Sequence, residues 1–113
     1  MTGERDENVV VVTGPDPEGL GDALEARGMS VARVDGAANR PALEEGGISE
    51  AELFVLTDIG HATSIPVALD LAADLRVIIY ARESLPEFAK GQADLLVDPA
   101  LLDVETVAEE LAG

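Results

Sequence analysis

Val9-Val10-Val11-Val12-Thr13-Gly14-Pro15-Asp16-Pro17-Glu18-Gly19-Leu20 is the stretch on which the fold of this chain turns. Its first half, within a strand read from Asn8 to Thr13, contains Val9-Val10-Val11-Val12, a continuous β-branched run. Unbroken rather than alternating apolarity marks a strand buried on both faces, the habit of parallel sheets covered by helices. Its second half is turn chemistry. Asp16 is read as the cap of a helix whose first residue is Pro17, with Leu20, Ala23 and Leu24 on its apolar face and Gly28 as its stop.

The same alternation repeats down the chain. Val31–Val34 reads as a second strand, followed by Asp35-Gly36 and a short helix over Pro41–Glu45 that ends at Gly46-Gly47. Ser49-Glu50-Ala51-Glu52 reads as a capping box opening a further turn. Leu53–Thr57 is a third strand, Asp58–His61 a loop, and Ser64–Ala73 a helix with Pro66 in its first turn. Val77–Tyr80 is a fourth strand, Ser84–Lys90 a short helix and Leu95–Val97 a fifth strand. A last amphipathic helix over Asp103–Leu111 places Val104, Val107, Ala108 and Leu111 on one face. Five strand–helix repeats at short spacing predict a doubly wound, Rossmann-like three-layer α/β sandwich. Its parallel sheet is expected in the order 2-1-3-4-5. Residues 1–7 read as a disordered tail and 8–113 as one domain.

Composition bounds the function. The chain has 113 residues, a net charge of −16, 47% hydrophobic and 3% aromatic residues. The core is therefore aliphatic, and the apolar runs exclude a disordered acidic chain despite the charge. Of seven basic residues six are Arg and one, Lys90, is Lys. An acid-rich, Lys-poor chain is the expectation for a cytoplasm of high salt, where the Debye length shrinks to about 3 Å at 1 M. Below about 0.5 M salt, self-repulsion is expected to lower the melting temperature. No basic stripe is available to neutralise phosphates, which excludes nucleic acid as a partner. With no cysteine there are no disulfides, thiolate zinc sites or thiol nucleophiles. The polar start, Met1 to Asn8, is unlike a signal peptide, and no apolar stretch approaches the roughly 20 residues of a membrane span.

Taken in order, Val9–Gly14, Leu24-Glu25-Ala26-Arg27-Gly28 and Pro41-Ala42-Leu43-Glu44-Glu45-Gly46-Gly47-Ile48-Ser49-Glu50-Ala51-Glu52 carry a resemblance. So do Tyr80-Ala81-Arg82 and Gly91-Gln92-Ala93-Asp94-Leu95-Leu96-Val97-Asp98-Pro99. Together they resemble the regulatory NAD-binding domain of potassium channels and transporters, the RCK or TrkA-N type. That match spans roughly Asn8 to Leu102, and the chain also resembles a family of short haloarchaeal proteins of unknown function, some labelled CTP synthetase. That label needs a glutamine-hydrolysing Cys and a Gly-rich loop with Lys-Ser/Thr, and this chain has neither. The resemblance implies a nucleotide, NAD or AMP-like, held by Gly14 and Gly19 with Asp35 as a ribose-binding acid.

Departures from the pattern are specific. The fingerprint G-x-G-x-x-G reads here Gly14-Pro15-Asp16-Pro17-Glu18-Gly19, so its second glycine is Asp16. A carboxylate there crowds and repels pyrophosphate, and Pro17 removes a helix-terminal N–H. The segment from Val34 to Pro41 is also shorter than the family's, and one family strand is missing. Asp35 is equally a remnant of the deleted piece.

Thr57-Asp58-Ile59-Gly60-His61-Ala62-Thr63-Ser64 is the richest polar stretch and follows the middle strand, where open α/β sheets bind ligands. Asp58 and His61, the only histidine, could form an acid–base pair or hold a ribose or metal. They could as well be a loop histidine and a capping aspartate, since one His and one carboxylate are too few for a closed metal site. Arg82, after strand four, could clasp a phosphate or pair with an acid as a strut. Ser84 lacks a histidine partner. Asp58 sits where a response-regulator phosphoacceptor would, but the acidic pair after strand one and the Lys after strand five are absent.

Three classes of function remain open. The first is a non-catalytic regulatory domain whose ligand meets Gly14, Gly19, Asp35, Thr57, Asp58, His61 and Arg82, with no metal. The second is a protein–protein module that binds no ligand, as a homodimer or with another protein. The third is an enzyme using Asp58 and His61, weakened by the scarcity of titratable groups beyond surface acids.

Overall fold

In the computed structural model the described residues are 9–34, 39–58, 60, 62–81 and 91–112. Five parallel strands form one sheet: β1 (Val9–Thr13), β2 (Ser30–Val34), β3 (Leu53–Leu56), β4 (Arg76–Tyr80) and β5 (Leu95–Val97). Their order is β2-β1-β3-β4-β5, as the alternation of elements predicts. Four described helices accompany them: α1 (Leu20–Ala26), α2 (Arg40–Glu45), α3 (Ser64–Leu71) and α4 (Val104–Ala112). A 3-10 turn covers Ile48–Glu50. The expected helix over Ser84–Lys90 and the N-terminal tail lie outside the described residues.

The three central strands are buried because each sends alternate side chains into two separate cores. Val11, Phe54, Leu56, Val77 and Ile79 meet Leu43, Ile48, Ile65 and Ala68 on one face. Val10, Val12, Leu53, Val55, Ile78 and Tyr80 meet Leu20, Leu24, Val107, Ala108 and Leu111 on the other. An alternating polar strand would leave one of these layers without a partner, so the unbroken valines of β1 specify a three-layer arrangement. Register follows: Val11 lies between Ala32 of β2 and Phe54 of β3, and Val55 lies beside Ile78 of β4.

Helix ends depart from expectation in four places. Helix α1 begins at Leu20, not at Pro17. The residues Asp16 to Gly19 form a turn closed by the Gly19 N–H on the Asp16 carbonyl at 3.0 Å, with Gly19 at φ 77°. That left-handed residue interrupts helical backbone, so the helix starts after it. Ser49 caps nothing: the turn there starts at Ile48, follows Gly47 and has no side-chain cap. Helix α2 starts one residue before the expected Pro41, capped by the Asn39 side chain, which accepts the Ala42 N–H at 3.1 Å. Helix α3 stops at Leu71 rather than Ala73, where Ala72 turns extended.

Candidate functional site

All five strands point their carboxyl ends the same way, so the loops after them share one edge of the sheet. At the middle of that edge the loop after β1 and the loop after β3 are locked together. The Thr57 hydroxyl lies between the carbonyls of Pro15 and Thr13, 3.2 Å from the latter. Its single hydrogen serves one of them at a time. The Thr57 N–H also donates to the Thr13 carbonyl at 3.1 Å. Gly14, at φ 99°, sits against this contact. A Cβ there would stand 2.8 Å from Thr57 Oγ1, 2.9 Å from Asp58 Cβ and 3.1 Å from the Asp58 nitrogen. Glycine is required at position 14 by the crossing of two loops, whatever binds nearby.

Asp16 is turned inward. Its Oδ1 accepts the Leu20 N–H at 3.0 Å and its Oδ2 the Gly21 N–H at 2.7 Å. Both amides belong to the first turn of α1, where a phosphate sits in dinucleotide-binding folds. The capping role expected for Asp16 is therefore present, exerted from across the turn rather than from the adjacent position. The carboxylate fills the seat that an anion would take.

Asp58 closes its own loop: its Oδ1 accepts the Gly60 N–H at 2.9 Å, an aspartate turn. His61, Arg82 and Asp35 lie outside the described residues. The structure thus brings together Gly14, Thr57 and Asp58, and joins Gly19 to them through the Asp16 turn.

A shallow cleft of about 130 Å³ opens on this edge, lined among others by Asp16, Glu18, Thr57, Tyr80 and Pro99. Tyr80 is 2% exposed and its hydroxyl donates to the Leu102 carbonyl at 3.3 Å. Sequence reading quoted Tyr80 and Pro99 within the motifs of the resemblance but did not name them as site residues. Tyr80 ends β4, and Pro99 follows β5 by two residues. Among the described residues, the charged side chains that line the cleft are the carboxylates Asp16 and Glu18. The described arginines are engaged elsewhere: Arg27 with Glu105 at 3.0 Å, Arg33 with Asp22 at 2.7 Å and Glu25 at 3.5 Å, and Arg40 with Asp70 at 2.7 Å. Arg76 opens β4, at the opposite edge of the sheet. Asp70 also holds the Arg40 guanidinium above its ordinary pKa.

Asp94, part of the Gly91–Pro99 segment, has a structural task. Its Oδ2 accepts the Val77 N–H at 2.7 Å, and its own N–H donates to the Val77 carbonyl at 2.8 Å, which pins β5 to β4. Among the described residues no group of three His, Asp or Glu side chains is placed to hold a metal ion. No described helix is long and apolar enough to cross a membrane.

These features define a small doubly wound, Rossmann-like α/β domain in which Asp16 bonds the first amides of α1 at the sheet edge. The chain belongs to the family DUF7126, a family of unknown function, whose model matches residues 10–111. No curated protein matches it. A solved structure similar to it is that of a Burkholderia pseudomallei protein named for a provisional relation to pilus assembly. The two share 12% identity at a TM-score of 0.62, over 99% of this chain and 93% of that one. At that identity the likeness is one of fold alone.

Proposed function

We propose that this domain is a non-catalytic protein–protein interaction module that binds no nucleotide. The observation that carries the reading is the Asp16 carboxylate on the Leu20 and Gly21 amides, at 3.0 and 2.7 Å. A dinucleotide would have to displace a covalently tethered anion from the same donors. It would also have to enter a cleft whose described charged groups, Asp16 and Glu18, repel it. The cleft volume, about 130 Å³, is well below the roughly 300–1,000 Å³ of ligand pockets. The glycine at position 14, which the nucleotide reading would assign to phosphate, is accounted for by Thr57 and Asp58. A catalytic reading loses support as well, because Asp58 Oδ1 and the Thr57 hydroxyl are engaged with neighbouring backbone.

The test is a thermal-shift series in about 2 M KCl, a concentration that screens the acidic surface. The panel is NAD, NADH, AMP, ATP, CTP and cyclic dinucleotides at millimolar concentration. The expected result is no shift with any of them. A ligand at 100 times its Kd would add about 2.7 kcal/mol, several degrees for a domain of this size. A saturable shift of that kind would overturn the reading and restore a nucleotide sensor.

A further inference from the structure

The open apolar surface of the described residues is concentrated at the outer margin of the sheet. β5 is the edge strand, paired with β4 alone. From it into the following loop, four leucines are exposed: Leu95 36%, Leu96 52%, Leu101 81% and Leu102 45%. Strand parity puts Leu95 on the side of Val97, whose side chain joins the core under α4, and Leu96 on the other side. The leucines therefore wrap the edge rather than sit on one face of it.

The strip is a built surface. Asp94 pins the start of β5 to Val77. The Asp98 carbonyl accepts the N–H groups of Leu101 and Leu102 at 2.8 and 3.2 Å, and its Oδ1 accepts that of Ala100 at 2.9 Å. Tyr80 holds the Leu102 carbonyl from below. Asp103 caps α4 by accepting the Thr106 N–H at 3.0 Å. These bonds fix the backbone and leave the leucine side chains to solvent.

Charge decides what can cover it. The leucines alternate with Asp94, Asp98 and Asp103, and no Lys, Arg or His occurs anywhere from Gly91 to Gly113. The Asp103 carboxyl is held below its ordinary pKa by the Thr106 hydrogen bonds, so this part of the rim stays ionised. A second copy of the chain, meeting this surface about a twofold axis, would set the same aspartates against each other. Like charges brought together across an interface are unfavourable, and no compensating cation is within the segment. A partner with a matching apolar centre and a basic rim satisfies both features.

We propose that the margin from Leu95 to Leu102 docks a protein partner that presents apolar side chains flanked by Lys or Arg. The proposal rests on the interaction-module reading and adds its surface and its partner chemistry.

The experiment uses three fluorescent peptides of equal length on the full chain: alternating Leu and Lys, alternating Leu and Glu, and alternating Ser and Lys. Anisotropy is read in about 1 M KCl, where a Debye length of about 3 Å leaves only charges in direct contact effective. The Leu/Lys peptide is expected to bind at least about tenfold more tightly than either of the others. The double variant Leu96→Asp/Leu101→Asp is expected to lose about tenfold of that affinity with an unchanged melting temperature. A second variant, Glu109→Gln/Glu110→Gln on α4, removes acids away from the strip and is expected to bind as the parent does. Equal binding of the Ser/Lys or Leu/Glu peptide, unaltered binding by the leucine variant, or no binding of the Leu/Lys peptide would overturn the proposal. So would a dimer in sedimentation that the leucine variant dissolves, because a second copy would then be the occupant. A nucleotide-dependent thermal shift would sink the module reading itself, whereas a peptide failure with a silent nucleotide panel would sink only this surface.

Discussion

The loops after β1 and β3 and the margin beyond β5 are made from the same materials, and they end up opposite in character. Both place aspartates between a strand end and a helix start. In the first, Asp16 reaches two amides of α1, Thr57 reaches the carbonyls of the other loop, and Gly14 is wedged between them. In the second, Asp98 and Asp103 bond only within their own turns, while the leucines beside them stay open. In the polar loops Asp16 and Thr57 have turned toward neighbouring backbone; the leucine loop has left its apolar surface outward. Polarity at a sheet edge is thus a poor guide to binding when the polar groups are already partnered.

Substitutions that separate the two regions give the comparison its tests. Gly14→Ala has the largest expected effect, because a Cβ at φ 99° meets Thr57 Oγ1, Asp58 Cβ and backbone within about 3 Å. A loss of about 3 kcal/mol is expected from denaturant unfolding, combining overpacking with the positive φ. Adding Thr57→Ala should recover part of it, and strict additivity of the two would show that the loops are not in contact. Asp16→Ala comes next, with a loss of about 1–2 kcal/mol as two helix amides lose their acceptor. Asp16→Asn retains one side-chain oxygen and should lose less.

A smaller effect is expected at Asp103, and it depends on pH. Its folded pKa lies below the ordinary 3.8 because of the hydrogen bonds with Thr106. A depressed folded pKa stabilises the fold above the unfolded value, and the contribution disappears as pH falls through the folded one. The melting-temperature advantage of the parent over Asp103→Ala should therefore be largest at about pH 6 and shrink at about pH 3. An advantage that grows on acidification would contradict the cap. The smallest effect is expected for Leu101→Ser, which should change stability by no more than about 0.5 kcal/mol. A large loss there would mean that the strip is packed within the chain.

Much of the fold was legible because burial on two faces leaves an unmistakable trace. Val9 to Val12, Leu53 to Leu56 and Val77 to Tyr80 are apolar without interruption, and each proved to feed both cores. The spacing of Asp16, Gly28, Gly46 and Asp103 was enough to put helices between them. The start of α1 was misplaced because capping rules look at adjacent residues, whereas Asp16 caps across a turn made possible by Gly19. At the site, Gly14 had two readings, and the deciding neighbours, Thr57 and Asp58, are far away in the chain. Tyr80 and the exposure of Leu101 were equally beyond reach, since each depends on which loop passes over which strand end.

Tyr80 has a consequence of another kind. It is the sole tyrosine, and the chain has no tryptophan. This ring lines the cleft, and its hydroxyl holds the carbonyl of Leu102 at the end of the leucine strip. The protein therefore carries one tyrosine fluorophore, placed where the two contrasted regions meet. A change in its emission or quenching on mixing with a nucleotide or a peptide reports events at that junction without any label, and the rest of the molecule contributes no tyrosine or tryptophan signal to obscure it.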